Sequence, residues 1–216
     1  MSSATVYASD LGGSLLRVSS NTLNDVLIAT SATGLPLSTS DYVGLYKDVK
    51  YFSQQHLLSF DLSSIPSGST ITAAVFTTKT SATHSSSVAG SQLELAPYDW
   101  GSTIETADYL TKVEYSALVA VATYAIDSNI ATDTVMTYTS GAPLIANLLA
   151  GGTSKFMLCN KAFRDGTTPT STDSHSAKIY TCTYATSSYR PTLTITYTAG
   201  GGGGTTYNAT FFGSNF

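Results

Sequence analysis

Charged residues are scarce in this sequence. Of its 216 residues, only 11% are Asp, Glu, Lys or Arg, and the formal net charge is −4. The lysines are scattered along the chain rather than gathered in a basic patch, which argues against a nucleic-acid-binding protein. We therefore expect no nucleic-acid partner, and charge alone indicates no other one.

Long apolar segments are also missing. No run approaches the ~18 apolar residues that a membrane span needs, and the first residues carry neither the basic nor the apolar region of a signal peptide. We expect no membrane insertion, and we expect a protein that is made in the cytoplasm and either stays there or leaves by cell lysis. A mature chain given a new initiator Met would look the same.

Cysteine is scarce as well. Only Cys159 and Cys182 are present, both in strand-like segments. Two interpretations are compatible with the sequence, a cross-strand disulfide and two buried free thiols, and we favour the free thiols. A chain of this length buries a sizeable core without a covalent or metal cross-link.

The abundant residue types are typical of β-structure. The 14 Tyr and the many Thr favour pleated strands, whereas Ser, Gly and Asn supply turns. Roughly ten short strands, with turns about every 8–12 residues, predict an all-β sandwich or jelly roll rather than alternating strands and helices. Polar segments without a pattern, at 79–90 and 164–175, are interpreted as loops.

The most regular pattern covers residues 55–77. Leucine and phenylalanine alternate with polar residues over 58–63, which predicts a strand with one buried face. Pro66 and Gly68 then predict a rigid corner, because proline fixes φ and glycine permits positive φ. Asp61 is expected to order this corner by hydrogen bonding. A second strand is predicted after it, with one face formed by Ile71, Ala73, Val75 and Thr77.

One short helix is predicted, at about residues 142–150. Ser140 is its expected N-cap and Pro143 lies in its first turn. The patterns at 25–30 and 113–126 are interpreted as strands.

Residues with catalytic or metal-binding potential are present but do not form a recognisable motif. His56, His84 and His175 are far apart in the sequence, are expected on a strand edge and in two loops, and have no metal-ligand spacing. No Gly-x-Ser-x-Gly elbow occurs. We expect solvated or structural histidines, no metal site, no cofactor and no catalytic residue.

Aromatic residues at a strand end are the first candidate binding feature. Tyr98 and Trp100, if exposed, would stack on sugar rings. The alternative is that the sole Trp packs over one end of the sandwich, and we favour that alternative.

The C-terminus is the second candidate. The glycine-rich stretch 199–204 predicts a flexible linker, and the segment 205–216 after it carries four aromatic residues. An aromatic peptide on such a tether is suited to binding a groove or a sheet edge of a partner. The expected partner-binding residues are Tyr207, Phe211, Phe212 and Phe216. Packing of this segment on its own domain is the alternative.

Taken together, these features resemble the DNRLRE domain family over about residues 4–198. The resemblance rests on Leu57–Ile71, on the sequence Tyr98-Asp99-Trp100, on the short helix with the two strands after it, and on the closing strand Arg190–Tyr197. It implies that residues 1–198 form a non-catalytic jelly-roll β-sandwich, as found in carbohydrate-binding modules and in virion structural proteins. The family commonly carries an arginine just before the Leu-Leu pair, where this chain has Gln55 and His56, and we interpret this position as part of the strand surface.

Two functions follow as hypotheses. The first is a structural subunit of a phage virion, such as a head-decoration, fibre or tail-associated protein. It would assemble with other virion subunits or with copies of itself through residues 205–216. The second is an extracellular carbohydrate-binding or adhesion domain that recognises a polysaccharide, for instance on a host surface.

Overall fold

The computed structural model describes residues 1–19, 22–36, 38–84, 88–126, 128–169 and 175–200. Within them the chain is all-β, as predicted, and forms two antiparallel sheets whose inner faces share one core. The strands, in chain order, are β1 (Ser2–Tyr7), β2 (Gly13–Ser19), β3 (Ser40–Lys47), β4 (Tyr51–Asp61), β5 (Thr70–Lys79), β6 (Gln92–Pro97), β7 (Ala122–Ala125), β8 (Val135–Thr137), β9 (Thr139–Ser140), β10 (Thr153–Asn160), β11 (His175–Tyr180) and β12 (Thr192–Thr198).

The strands divide unequally between the sheets. The small sheet has the order β1-β12-β5-β8. The large sheet has the order β11-β3-β4-β10-β6-β7-β9, and β2 pairs with β4 outside that path. The sheets are curled toward each other at one side, where the chain after β5 bridges to β11 through Thr80 and Ile179.

The core between the sheets is built on the alternating stretch that the sequence singled out. Phe60 of β4 lies edge-on to Phe76 of β5 and Phe156 of β10, and the ring centroids are 6.2 Å apart in both pairs. All three side chains are fully buried. Removal of this apolar surface from water is the main stabilising contribution of the sandwich.

A second core lies on the outer face of the large sheet, and the sequence did not predict it. Leu57 of β4 and Met157 of β10 are buried there beneath aromatic residues of the connecting segments. Phe163 packs edge-on against Tyr109 and Tyr115, with ring centroids 6.1 and 5.9 Å apart. The prediction of one buried face for β4 is therefore wrong, because a helical layer covers the other face.

The position before the Leu-Leu pair was predicted at the strand surface, and this is also wrong. Gln55 and His56 are 0% and 2% exposed. The Gln55 amide accepts a hydrogen bond from Leu110 N at 2.9 Å and donates one to Leu110 O at 2.8 Å. Gln55 thus anchors the covering layer on the sheet.

The corner after β4 forms as predicted. Asp61 Oδ1 accepts a hydrogen bond from the backbone N–H of Ser63 at 2.9 Å, and this bond lowers the pKa of Asp61. Gly68 has φ +79°, in the left-handed region that favours glycine. Ile65 is fully buried, so the corner is fixed to the core.

The prediction of a single helix is wrong. The described residues contain α1 (Leu23–Leu27), α2 (Lys112–Ala117), α3 (Ala142–Ala146) and α4 (Lys161–Asp165), with 3₁₀ turns at Thr106–Asp108 and Ser187–Tyr189. Residues 25–30 and the first part of 113–126 were predicted as strands, and α4 begins in front of the predicted loop 164–175. Only Ala122–Ala125 within 113–126 is a strand.

N-terminal capping explains these helices better than hydrophobic periodicity does. Thr22 with Asp25, and Thr111 with Glu114, form reciprocal capping boxes at the starts of α1 and α2. Asn160 accepts from the N–H of Phe163 at the start of α4. Caps of this kind satisfy free backbone N–H groups, so helices of one or two turns form where the pattern alone suggests strand or loop.

The predicted helix exists but is shorter than expected. It ends at Ala146, and its N-cap is Gly141 instead of Ser140. Ser140 belongs to β9, and its hydroxyl donates to Ala74 O at 3.2 Å. Pro143 does lie in the first turn.

The chain after β5 was predicted as an exposed loop, but its first part is buried. Thr80 and His84 are 0% and 7% exposed. The backbone of His84 pairs with Ile130 in both directions at 2.8 Å. Residues 80–84 therefore close one side of the sandwich.

The two cysteines are free, buried thiols. Cys159 belongs to the core on the outer face of the large sheet, and Cys182 to the core between the sheets. Burial raises the pKa of Cys159 to about 12 and that of Cys182 to about 11. The thiols are accordingly protonated and unreactive near neutral pH.

Candidate functional site

The predicted sugar-stacking pair does not form an open platform. Trp100 is only 6% exposed and packs in the outer core, so the ring is buried, as we favoured, but it lies over the outer face of the large sheet rather than over one end of the sandwich. Tyr98 is half-buried, lines an open groove of about 400 Å³ beside Asn147, and donates its hydroxyl to Asp108 O at 3.3 Å. A glycan role for Tyr98 stays a prediction.

The predicted partner-binding residues lie outside the described residues. These are Tyr207, Phe211, Phe212 and Phe216. The described chain ends at Gly200, which lies against the backbone of Gly68 at the corner after β4.

The three histidines are buried rather than solvated. His56, His84 and His175 are 2%, 7% and 4% exposed. Burial lowers the pKa of His56 and of His84. His84 Nε2 donates to Ile126 O at 3.1 Å. Across the part of the chain that the structure describes, no three His, Cys, Asp or Glu side chains are grouped as a metal site.

One serine–histidine pair has the elements of a nucleophile and a base. His56 Nε2 lies 2.8 Å from Tyr42 O and therefore donates its proton there, while the Ser14 Oγ lies beside the ring, 3.2 Å from Nε2 and 3.4 Å from Nδ1. Both side chains are at most 3% exposed. A substrate has no access to this pair in the folded chain, so the contact of Ser14 with His56 serves to join β2 to β4.

One carboxylate of the outer layer, that of Glu94, belongs to a buried ion pair. Arg164 Nε donates to Glu94 Oε2 at 2.8 Å, and the other end of the guanidinium donates to the carbonyl oxygens of Ser116 and Leu118. The Glu94 side chain is 7% exposed. This arrangement attaches α4 and the end of α2 to β6, and it leaves Glu94 without a free role as acid or base.

A row of aromatic side chains is the most distinctive surface feature of the sandwich. At one end Tyr46 lies between two rings. Its centroid is 4.7 Å from Phe52, with the planes parallel within 1°, and 5.0 Å from Tyr42. Tyr42 is 40% exposed. These rings border an open cleft of about 500 Å³, which Thr83 and Ser176 also line.

The row continues along β11. Lys178 is the cross-strand partner of Tyr42, and its ammonium lies 5.6 Å from the centre of that ring. Tyr180 follows on the same face of β11, since the residue between them, Ile179, is buried. Tyr180 in turn contacts Tyr184 and Tyr189, at centroid distances of 4.5 and 4.8 Å. We refer to Tyr42, Tyr46, Phe52, Tyr180, Tyr184 and Tyr189 as the aromatic strip.

Charged groups fix the far end of the aromatic strip. Lys79 Nζ lies 3.3 Å from the centre of the Tyr189 ring and 3.7 Å from Asp133 Oδ1. Asp133 also accepts from the Tyr180 hydroxyl at 3.0 Å. Burial and this hydrogen bond raise the pKa of Tyr180 to about 12, so the phenol remains protonated near neutral pH.

Comparison with known proteins adds no relative. No protein-family model matches the sequence, and no similar curated protein is found. The resemblance to the DNRLRE family therefore stays a prediction. No helix within the described ranges is long and apolar enough to cross a membrane.

Proposed function

We propose that this chain is a non-enzymatic structural protein, a component of a phage virion such as a head-decoration, fibre or tail-associated subunit. In this proposal it assembles with other virion subunits, or with copies of itself, through residues 205–216. The observation that carries the proposal is that the described residues up to Gly200 already form a closed core. The last strand, β12, contributes Leu193 and Ile195 to the sandwich core, and the chain then reaches the surface at Gly200.

The aromatic residues beyond the linker supply the binding energy. Four rings contribute about 6–12 kcal/mol if each is fully buried, at about 1.5–3 kcal/mol per ring. Fixing the backbone of twelve residues costs about 12–24 kcal/mol, at about 1–2 kcal/mol per residue. Ring burial alone therefore does not order the whole segment, and backbone pairing with a sheet edge is needed as well.

β1 is the edge best suited to accept such a strand. It pairs only with β12 within the small sheet. The edge strands β11 and β2 of the large sheet are partly covered, because backbone groups of β11 bond to Ser81 and those of β2 bond to Thr33 and Gly34. Exposed edges of this kind are ready templates for a strand from another chain.

Removal of residues 205–216 tests the proposal. The full chain and a variant ending at residue 204 are compared by light scattering and by co-sedimentation with particles from the natural source. We expect the full chain to assemble and the shortened chain to remain monomeric with an unchanged Tm. Unchanged assembly would refute the proposal, and so would a Tm lowered by several degrees, because the segment would then belong to its own domain.

A further inference from the structure

The aromatic strip has the form of an extended binding surface. Two stacked groups of rings lie on either side of Lys178, one around Tyr46 and one around Tyr180. Neighbouring residues on one face of a strand are about 7 Å apart, so the strip spans several ring widths. A small ligand needs one enclosed pocket, whereas an open row of rings fits a linear polymer.

The charges around the strip indicate a neutral ligand. Four cationic side chains border it: Lys47 lines the cleft, Lys79 and Lys178 lie over rings of the strip, and Arg190 donates to Tyr184 O at 2.7 Å. Four aspartates offset them: Asp133 is paired with Lys79, Asp10 with Arg190, Asp48 lines the cleft, and Asp41 accepts a hydrogen bond from Gln54 at 2.7 Å. The local net charge is therefore zero, and no single-sign field is available to attract a polyanion or a polycation.

The chemistry of the strip fits sugar rings better than a protein partner. Aromatic faces stack on apolar C–H faces, and the adjacent Thr83 and Lys178 supply hydrogen-bonding groups for hydroxyls. Lysine is depleted at protein interfaces. Strand addition is also disfavoured here, because the edge of β11 already accepts a hydrogen bond at Lys178 O from Ser81 N.

We propose that the aromatic strip binds a neutral polysaccharide, with Tyr42 as the most exposed stacking ring. This surface is distinct from Tyr98 and Trp100, and the proposal is independent of the assembly proposed for residues 205–216. The surface is built entirely from described residues of the sandwich.

Retention by cellulose, xylan, mannan and amylose in affinity electrophoresis and pull-down tests the proposal. We expect the full chain to be retained by at least one of them, and Tyr42→Ala to weaken binding about tenfold, the loss of one stacking contact. Tyr7→Ala is the matched control, because Tyr7 is 38% exposed on β1 of the small sheet, whereas β3, β4 and β11 of the strip belong to the large sheet. Thermal unfolding establishes that each variant is folded.

A second variant probes the length of the site. Tyr184→Ala removes a ring at the other end of the strip, so it should weaken binding of the polymer but leave binding of a two- or three-sugar fragment unchanged. Binding of the neutral polymer should also be unaffected when ionic strength is raised about tenfold.

Three results would overturn the proposal. One is no retention of the full chain by any of the four polysaccharides. Another is equal loss with Tyr42→Ala and Tyr7→Ala. The third is self-association of the full chain that Tyr42→Ala abolishes, which would assign the strip to a protein interface.

Discussion

Gly44 allows the sharpest prediction about the fold. It lies in the middle of β3, where the strand pairs with Ser176 of β11 and with Gln54 of β4. Its φ is +115°, and an added Cβ would overlap the carbonyl oxygen of His175 and lie 3.0 Å from Asn160 Nδ2. The Asn160 amide donates to that same carbonyl, so neither neighbour is free to move away.

The cost of Gly44→Ala has two parts. A non-glycine residue at this φ costs about 1–3 kcal/mol in backbone strain. Overpacking against fixed backbone costs about 1–3 kcal/mol more. Gly68→Ala is the matched comparison, because Gly68 has φ +79° but nothing within 4 Å of the added methyl group. It should lose only the strain, about 1–2 kcal/mol.

Urea unfolding measures both variants. The single Trp, Trp100, is buried and reports on the packing of the outer layer through its fluorescence. We expect Gly44→Ala to lower the free energy of unfolding by about 2–6 kcal/mol, a large share of the ~5–15 kcal/mol typical of a domain. If the two variants differ by less than about 0.5 kcal/mol, the range of ordinary surface substitutions, the close approach of β3 to His175 is refuted.

Three further changes test the buried polar contacts. Gln55→Leu leaves both backbone groups of Leu110 buried without a partner, so we expect a loss of about 2–4 kcal/mol in urea unfolding; Gln55→Glu, which buries a carboxylate against Leu110 O, should lose at least as much near neutral pH. Glu94→Gln leaves the Arg164 guanidinium without its carboxylate, and a loss of about 3 kcal/mol is expected, whereas an unchanged midpoint would show the pair to be solvated. Because burial lowers the pKa of His56 and of His84, the unfolded chain binds more protons below about pH 6.5, and stability should fall as pH falls through that value. His56→Asn should reduce this pH dependence, and His84 should account for the remainder.

The strands that the sequence predicted correctly are those with an alternating pattern and clear turns at their ends. β4 and β12 belong to this group, and the corner at Gly68 followed from Pro66 and Gly68 alone. β5 forms in the predicted place, but Ala74 and Phe76 face the core, whereas Val75, on the face that the pattern singled out, is 40% exposed. Burial of both cysteines agrees with the favoured interpretation as free thiols.

The outer core could not be predicted, because its buried polar residues form hydrogen bonds with residues that are far away in the sequence. Gln55 reads as a solvent-facing residue in an alternating strand, yet Leu110, which satisfies it, lies 55 residues away. The short helices that cover this face owe their starts to side-chain caps at Thr22 and Thr111, and five or six residues are too few for a helical period to show. Burial of β4 on both faces follows only when these segments are in place.

The aromatic strip escaped prediction for a related reason. Tyr42 and Tyr46 were visible as one strand, but the rings that extend the row come from β4, from β11 and from the segment 181–189 after it. Only the pairing of β3 with both β4 and β11 brings them to one surface. Trp100, in contrast, was singled out for its residue type, and its burial shows that type without neighbours does not define a site.

One end of the aromatic strip lies far from the point where the described chain ends. Phe52, at the start of β4, belongs to the strip, and the corner next to Gly200 follows the end of that strand. Ten residues of extended chain separate Phe52 from Leu62, about 33 Å at 3.2–3.4 Å per residue. Sites that share no partner residue act additively unless an element of the fold couples them. Removal of residues 205–216 should therefore leave polysaccharide affinity unchanged, and Tyr42→Ala should leave assembly unchanged, as measured by the same pull-down and light-scattering assays. In either assay, the loss in a combined variant should equal the sum of the losses in the two single variants. A different loss would show that attachment and recognition are coupled through the sandwich.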